Sequence, residues 1–157
     1  MNTEINETEK LTTVNYIFDE TIYLTGITDF GISWEDMLAG KDRVPPHGAR
    51  YIITFEGRIT GEKINGAIKG TDYLLVRADK QFILNIQASI LTDDGEMIFL
   101  EEDGILTPNN DGTAQLHLNM HFSTASKKYD WLNKKQVWGI GEVDMKKGEI
   151  KVKGYSN

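Results

Sequence analysis

Three side chains of this sequence have the types that acid–base chemistry needs, namely His121, Asp72 and Arg50. A histidine titrates near neutral pH, a carboxylate accepts a proton, and an arginine binds a carboxylate through two parallel hydrogen bonds. If they face one cavity, they predict a cofactor-free isomerase, cyclase, lyase or hydratase. Each also has an ordinary structural role, because Asp72 can cap the turn at Gly70 and Arg50 can pair with an acid on another strand.

A wider set of polar and aromatic residues is predicted to bind a small, partly apolar organic molecule. Asn85 and Gln87 share one face of a strand, and neutral amides are less usual there than Lys and Glu when the face meets water. Buried amides need hydrogen-bond partners, which a ligand can supply. The predicted ligand-binding residues are Arg50, Asp72, Tyr73, Asn85, Gln87, His121 and Trp131. The alternative stays open that the apolar faces fill the interior and these polar faces meet water.

The sequence predicts neither a metal site nor a cofactor. His117 and His121 lie about 13 Å apart on a strand, too far to bind one ion together. The segment Thr92-Asp93-Asp94-Gly95 is first of all a hairpin turn, and it offers too few oxygen ligands for calcium. No Gly-x-Ser-x-Gly elbow and no glycine-rich phosphate loop occurs, so a serine triad and nucleotide binding are disfavoured.

Composition narrows the class of protein. A chain of 157 residues suits a single domain, predicted here over residues 11–157 after a flexible tail at residues 1–10. The absence of cysteine excludes disulfides and thiolate catalysis. A net charge of −7 disfavours nucleic acid as a partner. With no long apolar run and no signal-like start, we expect no membrane association and a cytoplasmic location.

The elements that position these residues are β-strands. Residues 48–104 form a nearly continuous run of strands joined by tight turns, further strands follow at 114–122 and in a closing hairpin at 137–155, and the first strand covers 14–25. Residues 123–133 are expected to be irregular, and residues 26–31 to form a turn. A short helix is predicted at 33–39, with Ser33 as its N-cap. Roughly eight to ten strands favour an all-β, closed antiparallel barrel, which removes exposed edges and can hold one small ligand.

An ordered set of motifs resembles the domain of unknown function 3237 family over residues 14–155. The motifs are Gly48-x-Arg50, Phe55-Glu56-Gly57, Ile64-x-Gly66, Gly70-x-Asp72-Tyr73, Thr92-Asp93-Asp94-Gly95, Gly104, Tyr129-x-Trp131-Leu132-Asn133 and Gly139-x-Gly141. The resemblance implies a closed antiparallel barrel of the calycin or allene-oxide-cyclase-like sort, without an established activity. Many members carry an Asp-x-Arg pair in a register that here holds Asn85-Ile86-Gln87, so an acid–base role at those positions is in doubt.

The sequence is therefore compatible with three functions. The first is binding of a small, partly apolar organic molecule inside the barrel. The second is a cofactor-free enzyme acting on such a molecule, and the third is an oligomeric interaction module with a filled barrel. Convergence of the candidate side chains in one pocket favours the enzyme, whereas a solid interior with a large apolar exterior favours the module. The sequence does not decide whether the protein forms a homo-oligomer.

Overall fold

Alternating apolar and polar residues build eight strands that close into one barrel. The computed structural model describes residues 13–157. The strands are β1 (Asn15–Asp29), β2 (Ala49–Thr60), β3 (Asn65–Val76), β4 (Phe82–Thr92), β5 (Met97–Pro108), β6 (Thr113–Ser123), β7 (Val137–Asp144) and β8 (Glu149–Ser156). Each strand pairs antiparallel with its neighbours in the chain, and β1 closes the barrel against β8. The predicted closed antiparallel barrel is confirmed.

Glycines with left-handed backbone conformations make the tight turns between several strands. Gly95 has a φ of 93° in the β4–β5 turn, and Gly112 has a φ of 86° in the β5–β6 turn. Such angles are costly for residues with a Cβ atom. The strand β1 continues through the predicted turn at 26–31 as far as Asp29. A register shift between Leu24 and Gly26 accommodates this extension, so the predicted turn position was wrong.

Two short helices complete the described chain. The helix α1 (Trp34–Leu38) begins at the predicted N-cap, where the Ser33 hydroxyl accepts a hydrogen bond from the backbone N–H of Asp36. Residues 127–134, predicted to be irregular, form a 3-10 helix (Lys127–Lys134) between β6 and β7. Neither of these helices, which lie within residues 13–157, has the length and apolar character needed to cross a membrane.

The barrel interior has two parts that differ in packing. We call the first the filled half, and its side chains are each at most 1 % exposed: Phe18, Ile59, Ile90, Ile98, Leu100, Met120, Leu132 and Val137. We call the second the hollow half, and it includes Ile22, Ile53, Leu84, Ile86, Leu118 and Val152, which are 3 % to 7 % exposed. The 3-10 helix contributes Leu132 to the filled half, while α1 lies at the opposite end of the barrel.

Candidate functional site

The hollow half surrounds a cavity inside the barrel. The cavity has a volume of about 70 Å³, counted as the space that the centre of a water molecule can occupy. A single water needs only about 10–15 Å³ on this measure, so there is room for a compact organic molecule. Most of the lining is aliphatic, including Leu84, Ile86 and Leu118. An apolar cavity with a few polar groups is the usual form of a small-molecule site.

Three acidic side chains point into this apolar cavity, namely Glu20 from β1, Asp72 from β3 and Glu102 from β5. All three are buried. Glu20 shares its strand face with the buried Phe18 two residues earlier, because side chains alternate along a strand. Asp72 and Glu102 both pair with Ile86, so they lie in one row across β4. The carboxyl groups therefore lie where the filled half meets the hollow half.

The Asp72 carboxylate replaces part of the strand ladder. Between β3 and β4, Asp72 pairs with Ile86, and the next pair along β3 is Leu75 with Ile83. In the interval, Asp72 Oδ1 accepts a hydrogen bond of 3.0 Å from the backbone N–H of Asn85. The predicted structural role of Asp72, capping the turn at Gly70, is wrong, because Gly70 lies within β3 and the acid bonds to the neighbouring strand.

Within residues 13–157, the side chains of Glu20 and Glu102 make no such hydrogen bond. Glu20 Oε1 is buried and has no hydrogen-bond partner among the described residues. The lining residues include no Lys, Arg or His that could neutralise the three acids. Unpaired buried carboxyl groups strongly favour their neutral form, because burial removes the water that stabilises the charge.

Burial shifts the titration of all three acids in the same direction. It raises the pKa of Glu20 from its ordinary value of 4.5 to about 8. Burial also raises the pKa of Asp72 to about 6, although the hydrogen bond from Asn85 opposes the shift. The pKa of Glu102 is raised well above its usual range by burial and then by repulsion from Glu20 and Asp72. Near neutral pH, Asp72 is therefore the more readily ionised of Asp72 and Glu20, and burial favours the neutral form of Glu20.

The helix α1 contributes an aromatic side chain to the cavity. Trp34 lines it and packs edge-on against two rings, with centroid distances of 5.1 Å to Tyr51 and 5.9 Å to Phe82. Tyr51 and Phe82 lie at the start of β2 and β4, so the helix covers this end of the barrel. The sequence analysis predicted the helix but gave Trp34 no part in the site.

The seven residues predicted to bind a ligand do not converge in one pocket. Asp72 lines the cavity, whereas the outer face of the barrel carries Arg50, Tyr73, Asn85, Gln87 and His121, all exposed. Trp131 lies on the 3-10 helix, where the Lys63 ammonium is 5.5 Å from its ring centroid. The three predicted catalytic candidates are likewise separated. The apolar strand faces thus fill the interior and the polar faces lie outside, which was the second of the two interpretations.

Several family motifs hold the barrel together rather than lining the cavity. In the Thr92-Asp93-Asp94-Gly95 turn, Asp94 Oδ1 accepts a 2.8 Å hydrogen bond from the Tyr129 hydroxyl, and Lys128 pairs with the same carboxylate. The Lys128 ammonium, with the Thr92 and Tyr129 hydroxyls, keeps the pKa of Asp94 below its usual range. Asn133 exchanges two hydrogen bonds of 2.8 Å with the backbone of Thr124. These contacts fasten the 3-10 helix to the filled half.

Within residues 13–157, no group of three or more His, Cys, Asp and Glu side chains has an arrangement that could hold a metal ion. This statement includes the three cavity acids.

Glu20 and Glu102 were missed, although the sequence carries a signal for both. Each acid occupies a position that alternates with apolar residues: Glu20 follows Phe18 and precedes Ile22, and Glu102 follows Ile98 and Leu100. An acid on an otherwise apolar strand face must be buried with that face. The residues predicted for the site lie mostly on the polar faces instead, where amides and a histidine are less usual than Lys and Glu.

The sequence profile of the family described as Protein of unknown function (DUF3237) matches residues 32–156. The chain belongs to this family, so the predicted resemblance is confirmed. The match covers β2 to β8 and the helix α1, while β1 with Glu20 lies before it. No curated protein matches the chain.

Solved structures share the fold. A protein of unknown function from Clostridium acetobutylicum is similar with a TM-score of 0.75 at 22% identity, covering 92% of this chain and 97% of that one. A β-barrel-like protein from Acinetobacter baumannii has a TM-score of 0.75 at 20% identity, with coverages of 92% and 94%. An enzyme from Penicillium herquei has a TM-score of 0.64 at 19% identity, with coverages of 91% and 93%. At these identities the likeness concerns the fold alone.

Proposed function

We propose that this protein binds a small, partly apolar organic molecule in the cavity of the hollow half. One observation carries the proposal: an aliphatic cavity of about 70 Å³ contains a buried carboxyl oxygen, Glu20 Oε1, without a hydrogen-bond partner among the described residues. Protein interiors normally leave few such spaces, and they pair their buried polar atoms. A ligand with an apolar body and a polar group supplies both missing contacts.

Methyl NMR tests this proposal directly. The protein is labelled at the Ile, Leu and Val methyl groups and titrated with compact neutral compounds, beginning with butanol and benzyl alcohol. We expect saturable shifts at the cavity methyl groups of Ile86 and Leu118, whereas exterior methyl groups such as those of Ile140 stay unchanged. Shifts restricted to the exterior, or none with any compound, would overturn the proposal.

A matched pair of substitutions tests the location of the site. Ile86→Phe places a larger side chain in the cavity, and Ile140→Phe makes the same change on the exposed outer face. Ile86→Phe should abolish the shifts, while Ile140→Phe should leave them as they are. If both variants bind equally well, the ligand does not occupy the cavity.

A second candidate function is cofactor-free proton transfer. It is favoured by the three buried acids, because a carboxylate with a pKa of about 6 and a neutral acid with a pKa of about 8 can act as a general base and a general acid. Of the three catalytic candidates named from the sequence, only Asp72 is among these acids. The fold likeness to an enzyme from Penicillium herquei is compatible with this candidate.

Deuterium exchange distinguishes an enzyme from a binding protein. An enolisable ketone, cyclohexanone, is incubated with the protein in D₂O, and loss of its α-proton signal is followed by NMR. Catalysis by these acids predicts exchange above the buffer rate that Asp72→Asn removes while cyclohexanone still binds. Binding without exchange would leave ligand binding as the function and exclude proton transfer on this ketone.

The partners and the location of the protein remain predictions. A cytoplasmic location rests on the sequence, and homo-oligomerisation is tested by the mass of the protein in solution. The interaction module with a filled barrel is less favoured, since the interior contains a cavity of about 70 Å³. Tyr73, Leu91, Phe99 and Ile140 do expose apolar surface on the outside of the barrel, and these residues are where an oligomer contact should be sought.

A further inference from the structure

We infer that the ligand of the hollow half is a compact organic cation, a protonated amine on an apolar body, held by the carboxyl groups of Glu20, Asp72 and Glu102. The inference deepens the proposed function and rests on it. It names the charge and the donor group of the ligand, which an apolar cavity alone does not specify.

The arrangement of the acids carries the inference. Three carboxyl side chains from three different strands meet in one aliphatic cavity, and the lining offers no basic side chain to them. Glu20 is 3 % exposed, and its Oε1 atom has no partner among residues 13–157. The side chain of Glu102 makes no hydrogen bond or ion pair within the same described part of the chain, and it is 5 % exposed. The cavity therefore presents acceptor oxygens and lacks a cation.

An ammonium group is a suitable hydrogen-bond donor for these oxygens. It carries three N–H donors and no acceptor, while an ionised carboxylate only accepts. Each contact is a charge-assisted hydrogen bond, which is stronger than a neutral one, especially away from water. Asp72 already accepts one hydrogen bond from Asn85, and its second oxygen is left for a ligand. An anionic ligand would instead be repelled by the Asp72 carboxylate.

The body of the ligand is constrained by the aliphatic wall. The ligand is surrounded by aliphatic side chains, among them Ile22, Ile53, Leu84 and Ile86, and not by solvent. The rest of the molecule must therefore be apolar, because burial stabilises only apolar surface there. The volume of about 70 Å³ limits that body to a short alkyl chain or a single ring. A polyamine or an amino acid carries further charges that this wall cannot solvate.

Two isosteric pairs of probes test the charge without altering the protein. Butylamine is compared with butanol, and benzylamine with benzyl alcohol, by the methyl shifts of Ile86 and Leu118. We expect each amine to bind at least about ten-fold more tightly than its alcohol, the usual effect of a hydrogen bond to a charged group. Equal affinities would overturn the cation inference and leave the proposed function standing. If neither member of either pair binds, both fail.

The pH dependence sharpens the same comparison. The titratable groups that face the cavity are Glu20 from β1, Asp72 from β3 and Glu102 from β5; the other lining residues from the remaining strands and α1 do not titrate. Amine affinity should fall as the pH drops through about 6, where Asp72 gains a proton. The alcohol should show no such loss. An amine affinity that rises in acid would contradict the inference.

Adjacent acids on opposite faces of β5 supply the matched variants. Glu102→Gln removes a cavity acid, whereas Glu101→Gln removes an exposed one next to it. We expect Glu102→Gln to weaken amine binding about ten-fold with little change for the alcohol, and Glu101→Gln to change neither. Proton release measured by calorimetry in two buffers gives a further readout on the unaltered protein. Amine binding should displace part of a proton from Glu20 or Glu102, and alcohol binding none; equal release would count against the cation.

Discussion

The filled half and the hollow half are made by the same strands, yet only one of them leaves room for a ligand. In the filled half, large side chains such as Phe18, Leu100 and Met120 are fully buried, and a glycine opposite Phe18 admits its ring. In the hollow half, aliphatic side chains line a cavity. The three acids lie between the two, where carboxyl groups replace side chains that would otherwise pack. The tightly packed side chains and the cavity thus lie in different parts of one barrel.

The largest expected effect is the loss of unfolding free energy when a leucine is replaced by alanine in each half. Leu100→Ala opens a cavity in tightly packed surroundings and should cost about 4 kcal/mol of unfolding free energy. Leu118→Ala only enlarges an existing space and should cost about 2 kcal/mol, near the transfer cost of the removed atoms. Urea unfolding followed by circular dichroism measures both. Equal losses would mean that the hollow half is packed as tightly as the filled half.

Adding one carbon atom, instead of removing several, should also destabilise the filled half more than the hollow half. A Cβ atom on Gly154 would lie 2.3 Å from two ring carbons of Phe18, so Gly154→Ala should cost about 2 kcal/mol. Val152→Ile adds a methyl group two residues earlier on the same face, next to the cavity, and should cost less than about 1 kcal/mol. Thermal unfolding compares them. A Val152→Ile variant as unstable as Gly154→Ala would contradict the hollow assignment.

The acids at the boundary should make the barrel less stable as the pH rises. The folded chain holds protons on Glu20 and Asp72 that the unfolded chain has lost, since burial raises the pKa values to about 8 and about 6. Their stabilising contribution is complete below about pH 4 and is lost as the pH rises through about 6 and then about 8. Between pH 5 and pH 9 we expect the unfolding free energy to fall by at least about 1 kcal/mol.

Substitution identifies the residue responsible for this slope. Glu20→Gln should be more stable than the unaltered protein at high pH, with a flatter profile, because no charge then develops in the cavity. Glu101→Gln on the exposed face should follow the unaltered protein. A profile that rises with pH in this window would show that the cavity acids are ionised at little cost.

The smallest effects should come from the outer face. His121→Ala and Gln87→Ala alter exposed side chains and should change the unfolding free energy by less than about 0.5 kcal/mol. Binding of butylamine and benzyl alcohol should be unchanged in both variants. Loss of binding in either variant would indicate that His121 or Gln87 takes part in the site, as the sequence predicted, and would count against the cavity of the hollow half.

Much of the fold was predictable because strands and turns are local. Alternation over 81–91 and 114–122, the Asp94-Gly95 turn and the Ser33 cap each depend on a few neighbouring residues, and each prediction was confirmed. The 3-10 helix at 127–134 was not predicted. Its position depends on a distant turn, through the bonds of Lys128 and Tyr129 to Asp94. Such contacts have no signature in the local sequence.

The candidate site was predicted less well than the fold. Asp72 was named and lies in the cavity, whereas Asn85, Gln87 and His121 were named and lie outside. Unusual residues on a polar face drew attention, although a solvated face tolerates many residue types. The informative positions were acids on apolar faces, because a carboxyl group there must be buried at a cost of several kcal/mol unless something compensates it.

The sequence by itself determined the antiparallel barrel, its turns and its family, since alternation and turn residues act over short distances. Only the tertiary structure decided that Glu20, Asp72 and Glu102 meet. The three residues lie 30 or more positions apart along the chain, and closure of β1 against β8 brings their faces to one interior. Whether an interior is filled depends on how side chains from all eight strands fit across the axis, which no single segment encodes.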